Sequence, residues 1–152
     1  MADSDLIKLY STRILELASS IPHLGRLDAP HASVKKRAKL CGSTVTVDLR
    51  LDQNGRIAEF AQDVKACALG QAAAAIFGAQ AIGRSRGEVE AARDGLRAML
   101  EGGASPGAPF EEFKVLVAAR DFKNRHGSIL LALEATLEAM DAAEIADMPA
   151  AE

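Results

Sequence analysis

The chain has little of the residue types that usually announce a function. Its 152 residues hold two cysteines, three histidines, one tyrosine and no tryptophan, and aromatic residues make up 4%. Two cysteines cannot staple a disulfide-rich scaffold, so stability must come from an apolar core. With few rings available, that core must be built of Ala, Leu, Val and Ile, which the 49% apolar content supplies. No apolar run reaches the roughly 20 residues of a membrane helix, and Met1-Ala2-Asp3-Ser4-Asp5 lacks the basic and apolar regions of a secretion signal. The formal charge of −3 offers no basic face to nucleic acid. The only dense basic cluster, Lys35-Lys36-Arg37 with Lys39, reads as a solvated strand or loop. Internal repeats, a Walker loop and a Gly-x-Gly-x-x-Gly are all missing. Together these features predict one domain over residues 1–152, located in the cytoplasm, with no membrane and no nucleic-acid partner. In that compartment the cysteines are better read as thiols or ligands than as a structural disulfide.

What is there centres on the stretch from Leu40 to Gly70. Val45, Val47, Leu49 and Leu51 alternate with Thr44, Thr46, Asp48 and Arg50, which is the period-2 pattern of a half-buried strand. Asp52-Gln53-Asn54-Gly55 supplies a hairpin turn, because Asn and Gly tolerate positive φ. A return strand runs from about Arg56 to Val64, with Ile57 and Phe60 breaking the alternation and predicting a bulge near Ala58-Glu59. This hairpin delivers Cys41 and Cys67 to the same end of the sheet. The Ala-rich run after Cys67 is a strong helix former, so Cys67 sits in the cap or first turn of a helix. The positive end of the helix dipole there favours thiolate, the form that attacks sulfur and binds metals.

Elsewhere the pattern is mostly helical. Leu6, Ile7, Leu9, Tyr10, Ile14, Leu17 and Ala18 recur at helical spacing behind Asp3-Ser4-Asp5, and Pro22, Gly25 and Pro30 open a loop in which His23 and His31 read as surface residues. Ser33–Leu40 forms a first strand. The helix after Cys67 ends near Gly83, and Ser85-Arg86-Gly87-Glu88 has capping-box form ahead of Val89, Ala92, Leu96, Met99 and Leu100. Gly102–Pro109 is a flexible connection, and Phe110, Phe113, Leu116 and Val117 mark a short helix. A last helix starts around Gly127 with Ile129, Leu130, Leu133, Leu137 and Met140 on one face, and frays from about Ala142. The sum is an α+β domain, a small antiparallel three-stranded sheet packed against several helices.

Cys41-Gly42, the strand-turn-strand that follows, and Cys67 at a helix start closely resemble the IscU, SufU and NifU N-terminal family of iron–sulfur cluster assembly scaffold proteins, over roughly Leu9–Leu137. The Gly102–Pro109 loop and the Phe110 segment resemble the insertion of the SufU branch, whereas His126 looks like the IscU histidine. Members of that family hold zinc or a nascent cluster with three cysteines plus an Asp or His. In this chain Ser43 stands where the family carries Asp, and the third cysteine is missing. Aligned one way Gly127 takes its place; aligned on Arg125, in the Arg-x-x-Cys frame, Ser128 does.

The resemblance implies a scaffold binding iron, zinc or a labile [2Fe-2S] cluster, or a zinc-dependent sulfur acceptor for a cysteine desulfurase. A divergent regulatory or interaction paralogue without cluster chemistry is the third possibility. It implies Cys41 and Cys67 as sulfur acceptors, and Cys41, Cys67 and His126 as ligands, with Ser43 and Ser128 as weak ones. A scaffold or sulfur carrier is then expected rather than an enzyme, as monomer or homodimer. Its partners would be a cysteine desulfurase and other iron–sulfur assembly proteins. His126 equally suits a helix-entry residue, and Arg120, Lys123 and Arg125 read as a solvated basic edge that could face an acidic partner.

Overall fold

In the computed structural model, which describes residues 10–147, the hairpin organises the rest of the chain. Strands β1 (Ala32–Arg37), β2 (Thr44–Leu51) and β3 (Ile57–Lys65) form an antiparallel meander in the order β1-β2-β3. Asp52 Oδ1 accepts from the Asn54 and Arg56 amides, and Gly55 takes φ +77°, which closes the β2–β3 turn. The register shifts between Arg50, opposite Glu59, and Leu51, opposite Ile57, so Ala58 is the extra residue of the expected bulge. β1 stops at Arg37, short of the expected Leu40, because the chain turns there: the Ala38 amide donates to Ser43 O and the Gly42 amide to Ala38 O, with Gly42 at φ +72°.

Among the described residues there are four α-helices. α1 (Thr12–Ala18) starts at a Ser11 cap whose Oγ accepts from the Ile14 amide. Leu6, Ile7 and Leu9 of the expected first helix lie outside the described residues. α2 (Ala68–Gln80) follows Cys67, and α3 (Arg86–Leu100) opens with the predicted capping box, Ser85 and Glu88 bonding reciprocally. Val89, Ala92, Leu96, Met99 and Leu100 are its buried stripe. The Phe110 segment forms 3-10 turns over Glu111–Asp121 and Lys123–Arg125 rather than an α-helix; Phe113 and Leu116 are buried while Val117 stays exposed.

α4 (His126–Asp147) departs most from expectation. It packs on α2, α3, β1 and β2 together, so Leu131, Ala132, Ala135 and Ala139 are buried as well as the predicted Ile129, Leu133 and Met140. A helix apolar on nearly all sides is the central element of a core, not one with a single buried face. It stays helical through Asp147, past the expected onset of fraying at Ala142, and the remaining tail lies outside the described residues. α2 lies beside α4, and its Ala72, Ala73, Ala74 and Ala75 are all buried. Four phenylalanines link the layers: Phe60 of β3 meets Phe77 of α2 edge-on at 5.7 Å, Phe77 stacks on Phe110 at 6.0 Å, and Phe110 on Phe113 at 5.8 Å.

Two loop contacts tie the segment after α1 to the sheet. Asp48, on the face that alternation assigns to solvent, is fully buried because that segment covers it. Its carboxylate accepts from Arg26 Nε at 2.7 Å, from the Leu27 amide at 3.0 Å and from the Ser33 hydroxyl. His31, expected at the surface, accepts the Leu51 amide on Nδ1 at 3.0 Å. Burial pushes the Asp48 carboxyl up, but the hydrogen bonds from Arg26, Ser33 and Leu27 outweigh it and hold the group below its ordinary range.

A carboxyl depressed on folding contributes stability that is present above its unfolded value, about 3.9, and lost as pH falls through the folded value. Asp48→Asn keeps the shape and removes the charge. We expect it to cost about 2 kcal/mol at pH 7 and to cost progressively less below about pH 4, measured by urea denaturation across pH. An equal loss at pH 7 and at pH 3 would refute the role given to this carboxylate.

Candidate functional site

The two thiols meet where the β1–β2 loop, the start of α2 and the start of α4 converge. Cys41 occupies the loop apex beside Gly42, and Cys67 is the residue preceding α2, its side chain free of any capping bond. Ser43 enters β2 from the loop, and Ser128 lies in the first turn of α4. Cys41 Sγ is 3.4 Å from Ser43 Oγ, Ser43 Oγ is 2.9 Å from Ser128 Oγ, and Ser128 Oγ is 3.5 Å from Cys67 Sγ. Both serines are buried, at 5% and 2% exposed, while both cysteines are half-buried and unpaired. The hydroxyls thus form a chain that joins one sulfur to the other.

Gly70 makes this junction possible. A Cβ there would lie 2.4 Å from Ser128 Oγ and 3.1 Å from Ser128 O, so only glycine lets α2 approach the first turn of α4 this closely. A Cβ at Gly127 would instead sit 3.8 Å from Ala38 of the β1–β2 loop, in ordinary contact, with neither Ser43 nor either sulfur within 4 Å. Of the two alignments left open by the sequence, the one that puts Ser128 at the third-cysteine position is therefore the one in which that residue faces the thiols.

Electrostatics hold both thiols below their ordinary value. Burial raises the Cys67 thiol, and the Gly70 amide, the Ser128 hydroxyl, the Leu69 amide and the Arg125 guanidinium together bring it below its ordinary value. Burial also raises Cys41, and hydrogen bonds from the Ser43 hydroxyl and amide, from Ser128 and from its own amide bring it down. Arg125, read from sequence as a solvated basic edge, therefore also helps to draw the Cys67 thiol down. The signal that could have found it was its place in the Arg-x-x-Ser128 frame. Gly70 carried no such signal.

His126 does not join this group. Its Nε2–H donates to Ala119 O at 2.9 Å, and its ring lines a separate cavity with Arg120, Asp121 and Lys123. The predicted set of Cys41, Cys67 and His126 is thus not assembled, because the first turn of α4 directs Ser128, two positions on, toward the sulfurs. Among the described residues no three His, Cys, Asp or Glu side chains gather into a group able to hold a metal ion. The donor set that converges here is two thiols and two neutral hydroxyls. That does not fit a resident zinc ion, which takes four strong nitrogen, sulfur or carboxylate ligands in structural sites and three in catalytic ones. It does offer two sulfurs for cargo held transiently.

Beside Cys41 opens a cavity of about 400 Å³ lined by Lys36, Arg37, Lys39, Leu40 and, from α4, Gly127 and Leu131. Leu40 is 81% exposed, the most exposed large apolar side chain among the described residues. Among the described residues no helix is long and apolar enough to cross a membrane.

The fold and the site define an α+β domain that presents a pair of thiols between a sheet end and two helix N-termini. Its structure is similar to that of a nitrogen-fixing NifU-like protein (N-terminal) from Brucella abortus, with 39% identity, 93% of this chain and 98% of that chain covered, and a TM-score of 0.88. The fold also matches a protein from thermophilic Fervidobacterium islandicum AW-1 described as an iron–sulfur cluster assembly scaffold for the SUF system. That match has 19% identity, covers 88% and 98% of the two chains, and gives a TM-score of 0.79. A hypothetical protein matches at 24% identity, 89% and 98% coverage and a TM-score of 0.78. No family model and no curated protein matches. The chain belongs to the IscU/SufU/NifU N-terminal family of iron–sulfur cluster assembly scaffold proteins.

Proposed function

We propose that this protein serves iron–sulfur cluster assembly as a scaffold-like sulfur acceptor, taking sulfur from a cysteine desulfurase onto Cys41 and Cys67 and holding iron or a labile [2Fe-2S] cluster there as cargo. The single observation that carries this reading is the pair of thiols, both held below their ordinary pKa and joined through Ser43 and Ser128 at the sheet end. Sulfur acceptance asks for a nucleophilic thiolate at a surface opening, and Cys41 lies on the cavity that carries Lys36, Arg37, Lys39 and the exposed Leu40. A desulfurase segment bearing its persulfide would enter there, with Arg37 and Lys39 facing acidic groups around it, since Lys36 already pairs with Glu138 and Glu134 also lines the cavity. His126 is a positioning residue for the start of α4 in this reading, not a ligand. With two strong ligands, cargo is bound weakly enough to leave, which suits transfer rather than storage.

The test is anaerobic incubation with a cysteine desulfurase and cysteine, with and without ferrous iron. Sulfane sulfur should appear on Cys41 or Cys67 by peptide mass spectrometry, alanine output should rise, and added iron should give cluster absorbance that a chelator removes within minutes. Cys41→Ala should abolish the stimulation and His126→Ala should not. No sulfur on either cysteine and no rise in alanine would overturn the proposal.

A second reading is favoured by one observation, the neutral hydroxyls of Ser43 and Ser128 where the resemblance expects stronger ligands. On it the chain is an interaction or regulatory paralogue of the assembly machinery. Desulfurase binding unchanged in a Cys41→Ala/Cys67→Ala double variant, with no sulfur acceptance by the parent, would establish it.

A further inference from the structure

Ser43 and Ser128 pose a chemical question that sulfur acceptance alone does not answer. Both hydroxyls are more than nine-tenths buried, and their hydrogen bonds run to each other and to the two sulfurs rather than to the backbone. Burying two hydroxyls costs free energy unless they are paired. A pair that spans from thiol to thiol has one property a lone buried serine lacks: each hydroxyl can accept a proton on one side while donating its own on the other. The chain Cys67 Sγ, Ser128 Oγ, Ser43 Oγ, Cys41 Sγ, with steps of 3.5, 2.9 and 3.4 Å, is continuous.

We propose that the site moves sulfane sulfur internally from Cys41 to Cys67, with Ser128 and Ser43 as the proton path that keeps the step neutral; this rests on the sulfur-acceptor reading above. Cys41, on the open cavity, is the point of entry, and Cys67, at the N-terminus of α2 with the Gly70 and Leu69 amides and Arg125 around it, is the point of storage. In the step, Cys67 Sγ attacks the outer sulfur of the Cys41 persulfide. The bond from Cys67 Sγ to that sulfur forms as the bond from Cys41 Sγ to it breaks, and the electron pair stays on Cys41 Sγ. The proton lost by the Cys67 thiol passes to Ser128, Ser128 gives its own to Ser43, and Ser43 protonates Cys41. One thiol and one persulfide enter and one thiol and one persulfide leave, so no oxidant or reductant is consumed.

The experiment is a time-resolved transfer with sodium polysulfide as the sulfur donor, quenched by an alkylating reagent and read by peptide mass spectrometry at each cysteine. In the parent, sulfur should appear at Cys41 first and then at Cys67, and in Cys67→Ser it should stay at Cys41. In Ser128→Ala sulfur should still reach Cys41, but its passage to Cys67 should slow by at least about tenfold. The solvent deuterium isotope effect of the parent should also fall away, a change that a packing role for the hydroxyl would not produce. Ser43→Thr, which keeps a hydroxyl, should retain passage, and Ser43→Ala, which carries the same test if Ser128→Ala does not fold, should lose it. Cys67 loading in Cys41→Ser at the parental rate, or unchanged passage in both alanine variants, would overturn the internal transfer while leaving sulfur acceptance standing. No sulfur on either cysteine would overturn sulfur acceptance itself.

Discussion

Phe77→Ala is expected to remove about 4 kcal/mol of stability, the largest loss from any single truncation in this core. Phe77 is fully buried and sits in the middle of the aromatic row, touching Phe60 on the sheet side and Phe110 on the loop side. Truncating it forfeits two ring contacts and opens a cavity between β3, α2 and the 3-10 segment. Neighbouring alanines have no atoms to fill that space. A domain of this size has about 5–15 kcal/mol in total, so the variant should unfold at a much lower urea concentration with an unchanged slope. Because Phe77 lies ten residues along α2 from Cys67, about 15 Å at 1.5 Å per residue, thiol reactivity of the folded variant should match the parent. A loss under about 1.5 kcal/mol would mean that the row is not continuous as described.

Gly70→Ala attacks the site instead of the core. The added methyl would meet Ser128 Oγ at 2.4 Å, Ala66 Cβ at 2.9 Å and Ser128 O at 3.1 Å. The Ser128 side chain can rotate away, but its carbonyl belongs to the backbone of α4, so α2 must back off too. Overpacking of this kind costs about 1–3 kcal/mol, and rotating the Ser128 hydroxyl cuts the link between the sulfurs. Sulfur should then load on Cys41 and remain there. Gly87→Ala is the matched control: its Cβ would find its nearest neighbour, Ser85 Oγ, at 4.0 Å, so the same chemical change should leave stability unchanged or raise it by up to about 1 kcal/mol. If Gly70→Ala behaved like Gly87→Ala in both stability and sulfur transfer, the close approach of α2 and α4 would not govern the site.

Local patterns carried the sequence reading as far as the hairpin. β2, its Asp52–Gly55 turn, the bulge at Ala58, Cys67 ahead of α2 and the Ser85–Glu88 box all rest on interactions between residues close in the chain, and each is where the pattern put it. The rotation of α4 was not legible, and its physics says why. Each residue turns a helix by 100°, and a one-sided apolar stripe would have fixed which residue points where. α4 is buried nearly all round, so its composition leaves the phase open, and with it the choice between Gly127 and Ser128 and the direction of His126. Asp48 and His31 escaped for a different reason. Alternation along β2 describes a strand with one wet face, whereas the segment after α1 folds over part of that face and supplies Arg26 and Leu27 to Asp48.

The run of alanines in α2 has a further consequence. Alanine has no rotamers to freeze, so packing Ala72–Ala75 against its neighbours sacrifices almost no side-chain entropy and leaves nothing to rearrange when a partner arrives. The platform under Cys67 is therefore stiff by composition. If the protein accepts sulfur as proposed, adjustment on delivery would fall to the exposed loop of Leu40 and Cys41 rather than to this floor, and the two cysteines would differ in kinetic character.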